Sequence, residues 1–231
     1  MMKGVYFDGI HSYDDLGLIL SSVEIEPPQI KTKKIDIPGA NGSIDLTQFD
    51  GKIHYYDRTL TFVFTARGIA KSWPSVFSEV TSRLHGREMD IVLDDDPFYT
   101  WHGRVSVKSY KRGKNNGTIE IEVDASPYKY SRFATDQEVE WDTFDFTNGI
   151  LQCLKDIAVD GTTEVKAVGY AENTVPVISV TGTVSVTYDG ITTALPEGKN
   201  KILSITIREG ENTLIFTGKG TVTIEYRGGS L

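Results

Sequence analysis

Asp94-Asp95-Asp96-Pro97 is the densest run of ligand-type side chains in this 231-residue sequence. Three neighbouring carboxylates attract Ca²⁺ when further oxygen ligands converge. Nothing nearby has the spacing of a calcium loop, so the run is expected to be an acidic turn closed by Pro97. It would end a strand over 90–93 and open another at Phe98-Tyr99-Thr100-Trp101. His11, His54, His85 and His102 never stand four apart on a helix, which removes the zinc-hydrolase pattern; each is expected at the surface or half-buried. Phosphate loop, dinucleotide fingerprint and Gly-x-Ser-x-Gly elbow are all missing. Cys153 lies in Ile150-Leu151-Gln152-Cys153-Leu154, an apolar setting that raises a thiol's pKa, and is expected in the core. No cofactor, no metal and no catalytic residue is predicted.

Sugar chemistry leaves a weaker trace. A glycosidase needs two carboxylates about 5 to 9.5 Å apart across a cleft, which strand spacing neither supports nor excludes. Aromatic rings on a β-sandwich stack on pyranose faces, and Trp141, Tyr170, Tyr188 and Tyr226 are available. The tyrosines are mostly expected in the core. Trp141, among Glu138, Glu140, Asp142 and Asp145, is the least comfortable there and is the named sugar-stacking candidate.

The net charge of -8 disfavours general attraction to nucleic-acid phosphates. A single cysteine excludes an internal disulfide, so cytoplasmic synthesis fits. An acid, Asp8, interrupts the first residues before any long apolar stretch, and no window reaches 18 apolar residues. Neither a signal peptide nor a membrane span is expected. Residues 1–133 carry 17 basic and 18 acidic side chains and residues 134–231 carry 7 and 14, so the net falls from -1 to -7. That shift follows Ser126-Pro127-Tyr128 and places an expected domain boundary at residue 133, giving domains 1–133 and 134–231.

The elements that must position any site are mainly strands. Leu60, Phe62 and Phe64 alternate with Thr59, Thr61 and Thr65. Residues 104–108 and 118–124 alternate likewise and predict a hairpin with its tip at Lys114-Asn115-Asn116-Gly117. Between these windows Val76, Phe77, Val80 and Leu84 have helical spacing, with Ser72 as cap, Pro74 in the first turn and Gly86 at the end. Beyond residue 134 a strand is predicted over 177–188 with a bend at Thr181-Gly182, then a two-residue hairpin turn at Asp189-Gly190. Turns are expected at Glu197-Gly198-Lys199-Asn200, Glu209-Gly210-Glu211-Asn212 and Thr217-Gly218-Lys219-Gly220, separating strands over 202–207, 214–216 and 222–226. That spacing is characteristic of a β-sandwich or jelly roll.

The order of these segments resembles the distal tail protein family of long-tailed, non-contractile phages. The resemblance rests on Tyr6-Phe7-Asp8-Gly9-Ile10-His11-Ser12 with Leu16-Gly17-Leu18-Ile19-Leu20, and on the Ile37-Pro38-Gly39-Ala40-Asn41-Gly42 loop running to Thr47. It continues through Tyr55-Tyr56-Asp57-Arg58 and its strand, the single helix, Asp95 to Arg104, and Pro127-Tyr128. Gly210-Glu211-Asn212-Thr213-Leu214 and the segment 218–227 resemble the closing strands of the family's second domain, so almost the whole chain is covered. The resemblance implies a mainly β fold: an N-terminal β-rich barrel or sandwich with one α-helix, tail-tube-like and ring-forming, plus a peripheral C-terminal β-sandwich like galectins or carbohydrate modules.

It further implies a homo-hexameric ring, singly or stacked, in the virion tail tip. Such a ring joins the tail-tube protein to the tail-tip protein and receptor-binding protein, assembles in the host cytoplasm, and lets DNA only pass through its lumen. Lys31, Lys33 and Lys34 beside the Pro38-Gly39 loop suit an inter-subunit arm as well as they suit a solvated strand edge. The leading expectation is therefore a structural virion protein without enzymatic activity. A carbohydrate-binding host-adhesion protein stands second and a glycan hydrolase third.

Overall fold

The computed structural model describes residues 4–66, 73–112, 117–137, 150 and 152–231. The chain is mainly β and divides into two compact units. One comprises Met1–Asp95 with Trp101–Pro127 and Leu231, the other Asp96–Thr100 with Tyr128–Ser230. No described helix is long and apolar enough to cross a membrane.

The first unit contains β1 (Val5–Phe7), β2 (Ile10–His11), β3 (Ile19–Ile25), β4 (Lys34–Asp36), β5 (Ser43–Asp45), β6 (Arg58–Ala66), α1 (Trp73–Leu84) and β7 (Glu88–Leu93). It also takes most of β8 (Asp96–Arg112), and ends with β9 (Gly117–Ala125). Seven strands run in the order β2-β1-β7-β8-β9-β6-β3, while β4 and β5 form a separate two-stranded ribbon. The alternation read from residues 59–65 is realised: Leu60, Phe62 and Phe64 are fully buried. Phe7 meets the rings of Phe62 and Phe64 at 6.0 and 6.3 Å, tying β1 to β6 across the core. Helix α1 buries Val76, Val80 and Leu84, and Phe77 stacks on Tyr110 at 5.1 Å. Gly86 stops it with φ of 80°, the left-handed position that glycine adopts without a Cβ penalty. The cap Ser72 and the tip residues Lys114 to Asn116 lie outside the described residues.

Two side chains differ from expectation. His11 is buried, 5 % exposed, because both ring nitrogens have carboxylates to meet: Nδ1 lies 2.7 Å from Asp14 and Nε2 3.3 Å from Asp94. Cys153 is exposed, while its neighbour Leu154 is buried, its backbone bonded to Thr135 and Ile224.

The second unit adds β10 (Lys129–Ser131), β11 (Ile157–Gly169), β12 (Val177–Tyr188), β13 (Ile191–Leu195), β14 (Gly198–Lys201), β15 (Gly210–Glu225) and β16 (Gly229–Ser230). Its main sheet is ordered β11-β15-β12-β13, with β14 also on β12. Residues 184–188 of β12 pair with β13 and residues 177–180 with β14, so the chain switches position beside the bend that Thr181-Gly182 makes. Gly161 faces Gly218 and Gly182 faces Gly220 in the neighbouring strands. A Cβ on Gly218 would stand 2.2 Å from the Thr183 carbonyl oxygen, and one on Gly220 1.9 Å from that of Thr181. Glycine thus permits three long strands to bend along one line, while Val180, Val184, Leu214, Phe216, Val222 and Ile224, from both sides of it, join one core.

This geometry corrects three turn expectations. Thr217 to Gly220 is the middle of a 16-residue strand, and Gly198 and Gly210 open strands rather than loops. Asn200 and Asn212 are buried and work alike. Each Nδ2 donates to the carbonyls two and four residues back, Gly198 and Pro196 for Asn200, Gly210 and Arg208 for Asn212. The expected strand over 202–207 is irregular, with Ile205 and Ile207 anchored in the core. Asp189-Gly190 is the hairpin turn predicted, at φ of 49° and 77°.

A half-buried pair adds a pH dependence to this unit. Burial raises the Glu172 carboxyl above its ordinary value, partly offset by the Tyr130 hydroxyl hydrogen bond. A carboxyl that binds its proton more tightly when folded stabilises fully below its unfolded pKa, and this contribution is lost as pH rises through the folded pKa. Glu172→Gln removes that loss. Melting temperatures from about pH 4 to about pH 8 are expected to show the variant gaining on the native chain as pH rises; a gap that stays constant would contradict this assignment.

Candidate assembly surface

The segment between β3 and β6 is where the sequence departs from core-building. Pro27 and Pro28 lack backbone donors, which discourages continuation of the sheet. The chain instead doubles back on itself: the Tyr56 N–H donates to Gln29 at 2.8 Å, Lys31 to His54 at 2.8 Å and Leu46 to Lys33 at 2.8 Å. Lys34 opposes Asp45, Ile35 opposes Ile44 and Asp36 opposes Ser43. The loop between the two strands turns at Pro38-Gly39, where Gly39 has φ of 83° and a Cβ added to it would meet nothing within 4 Å.

Alternation gives this ribbon two unlike faces. Ile35 and Ile44 point one way, with Lys33 and Ile37 in the same phase; Lys34, Asp36, Ser43 and Asp45 point the other. Asp45 is held below the usual carboxylate range by hydrogen bonds from the Thr47 hydroxyl and amide, with Lys34 contributing. Ile35 is 45 % exposed, Ile44 49 % and Phe49 81 %. An isolated two-stranded ribbon is marginal in water, and completing the burial of each such isoleucine is worth roughly 2 kcal/mol.

Lys31, Lys33, Lys34, Pro38 and Gly39 are all exposed on this ribbon and its approaches. The Lys31 ammonium lies 5.2 Å from the Tyr56 ring centroid. What the lysines alone do not bring out is the apolar face. Its signal is present as Lys34-Ile35-Asp36-Ile37 and Ser43-Ile44-Asp45-Leu46, two alternating stretches on either side of the glycine loop. At the ribbon's root Arg58 lies over Trp101 at 4.8 Å and donates to the Pro127 carbonyl, burial lowering its pKa.

The remaining candidates offer less. Trp141 lies outside the described residues. Tyr188 and Tyr226 are 6 % and 5 % exposed, with their hydroxyls donating to Thr206 and Val168 carbonyls, so neither ring face is free for a pyranose. Asp94 accepts from the Gly4 N–H at 2.6 Å, and the Lys129 ammonium donates to Asp96 at 2.5 Å. Among the described residues no group of three His, Cys, Asp or Glu is arranged to hold a metal. A shallow concavity of the second unit is lined by Phe98, Phe133, Gln152, Tyr170 and Tyr226. Its polar atoms satisfy one another: Gln152 Nε2 donates to the Tyr226 hydroxyl at 2.6 Å.

No family model matches the chain, and no curated protein matches it by sequence. Among solved structures it is similar to the crystal structure of the SPP1 Dit (gp 19.1) protein, described as a paradigm of the hub adsorption apparatus in phages infecting Gram-positive hosts. The TM-score is 0.62 at 15 % identity, over 98 % of this chain and 99 % of that one. The likeness spans both units, and the chain has that protein's fold.

Proposed function

We propose that this chain is a structural component of a phage tail tip, whose copies close into a hexameric ring forming the hub of the adsorption apparatus. The observation that carries this reading is the β4–β5 ribbon, whose Ile35 and Ile44 remain about half exposed among the described residues. The full-length likeness to a hub protein supplies the setting. The 1–133 domain forms the ring and the 134–231 β-sandwich lies at the periphery. One ring face receives the tail-tube protein and the other the tail-tip protein and receptor-binding protein, singly or through stacked rings. The virion tail tip is the site of action, after assembly in the host cytoplasm.

Such a protein works by geometry, with no bond made or broken. DNA only passes through the lumen. Sugar binding through Trp141 stays the second reading and has lost Tyr188 and Tyr226 as partners. Native mass spectrometry tests the ring: a species six-fold heavier than the 25.6 kDa chain, or twice that for stacked rings, is expected. A monomer persisting at high concentration would refute the reading.

A further inference from the structure

A ring that closes head to tail needs two different patches on every copy, so the ribbon requires a receiving surface. We infer that this surface is the turn preceding β3 in a second copy of the chain, presented by Tyr13, Asp14 and Asp15 with Asp94 beside them. The inference rests on the ring reading and assigns its contact.

Position comes first. The turn leads into β3 at Ile19, and the segment that becomes the ribbon leaves β3 at Ile25 and reaches β4 at Lys34, so β3 separates the two patches along the chain. At about 3.3 Å per residue β3 itself spans roughly 20 Å. Charge comes second. Lys31 and Lys33 are exposed on the ribbon, whereas Asp14, with its side chain 60 % exposed, and Asp15 crown the turn. One oxygen of each acid is engaged by His11, through Nδ1 at 2.7 Å and the backbone N–H at 2.7 Å, which leaves the other oxygen to receive an ammonium.

Shape comes third. Tyr13 is 41 % exposed, and a tyrosine ring is a rigid anchor against Ile35 and Ile44. The turn is also fixed in advance: the Asp15, Gly17 and Leu18 N–H groups donate to His11, Tyr13 and Ser12 carbonyls at 3.1, 2.9 and 2.8 Å. Little ordering entropy remains to be lost on docking.

Charge reversal tests the contact. One variant carries Lys31→Glu and Lys33→Glu on the ribbon, the other Asp14→Lys and Asp15→Lys on the turn, which keeps the Tyr13 ring in place. Each alone sets like charges face to face and is expected to raise the concentration for ring formation at least about tenfold. Mixed in equal amounts they are expected to restore the ring with both chains alternating, because every acidic ribbon then meets a basic turn and every basic ribbon an acidic one.

Full assembly of either variant alone, or failure of the mixture to assemble, overturns the assigned contact while native rings keep the ring reading intact. A native chain that never passes beyond monomer removes the ring reading itself and the contact with it. Should the second variant lose its melting transition, Asp14→Lys alone replaces it, since that change leaves the hydrogen bond from the His11 N–H to Asp15 in place.

Discussion

Replacing Ile35 and Ile44 together by threonine is expected to leave the chain folded and to cost it most of its self-association. Threonine keeps the β-branched side chain that suits a strand and removes the apolar surface of the ribbon's exposed face. Because both isoleucines are already about half exposed in the single chain, the folding stability is expected to change by less than about 0.5 kcal/mol per site. In the assembled state each loses roughly 1.5 kcal/mol of burial, so each contact weakens by about 3 kcal/mol, more than about a hundredfold in dissociation constant. Mass photometry and a thermal melt on the same sample separate the two effects. An unchanged ring would mean that this face is not the seam. A melting temperature lowered by many degrees would mean that the ribbon belongs to the monomer's own core.

The second large effect lies in the bend of the C-terminal sheet. Gly220→Ala is expected to destabilise the second unit by about 3 kcal/mol or more, since the added Cβ would meet the Thr181 carbonyl at 1.9 Å and backbone cannot step aside cheaply. Against a domain stability of about 5 to 15 kcal/mol, that removes a large share of the native population at elevated temperature. Gly210→Ala is the internal control. Gly210 has φ of 87° but nothing within 4 Å, so only backbone strain of about 1 kcal/mol is expected. Denaturant titration of both variants checks the ranking; equal losses would contradict the role given to the glycine seam.

These two sites also mark how far the sequence can be read. The strand over 59–65, the hairpin over 104–124, the helix and the Asp189-Gly190 turn are legible because each depends on neighbours within one or two turns of chain. Trp73–Leu84, for example, is specified by Val76, Val80 and Leu84 on one face. The glycines at 218 and 220 read as a turn because a glycine that reverses the chain and one that lets another strand approach have the same local composition. What separates them is the register that sets Gly218 against Gly161 and Gly220 against Gly182, and that register is fixed by strands tens of residues away.

Asn200 and Asn212 escape detection as buried groups for a related reason. Glu-Gly-x-Asn signals a turn by propensity, yet here the amide closes a short loop over its own backbone and sinks into the core as the strand begins. His11 is legible as a residue but not as a buried one, since Asp94, which meets its ring, comes from a turn 83 positions away. At the ribbon the lysines draw the eye by charge, whereas the isoleucines that define the face stand among them at alternating positions. Their exposure is a property of the folded chain: only with β4 and β5 outside the sheet that holds β3 and β6 do Ile35 and Ile44 lack a core to enter.

Negative-stain imaging of the purified chain, at concentrations where its mass exceeds that of one copy, tests the central claim most directly. The account predicts uniform rings of six units around an open centre. Discrete single particles, or compact aggregates with no axial opening, would contradict it.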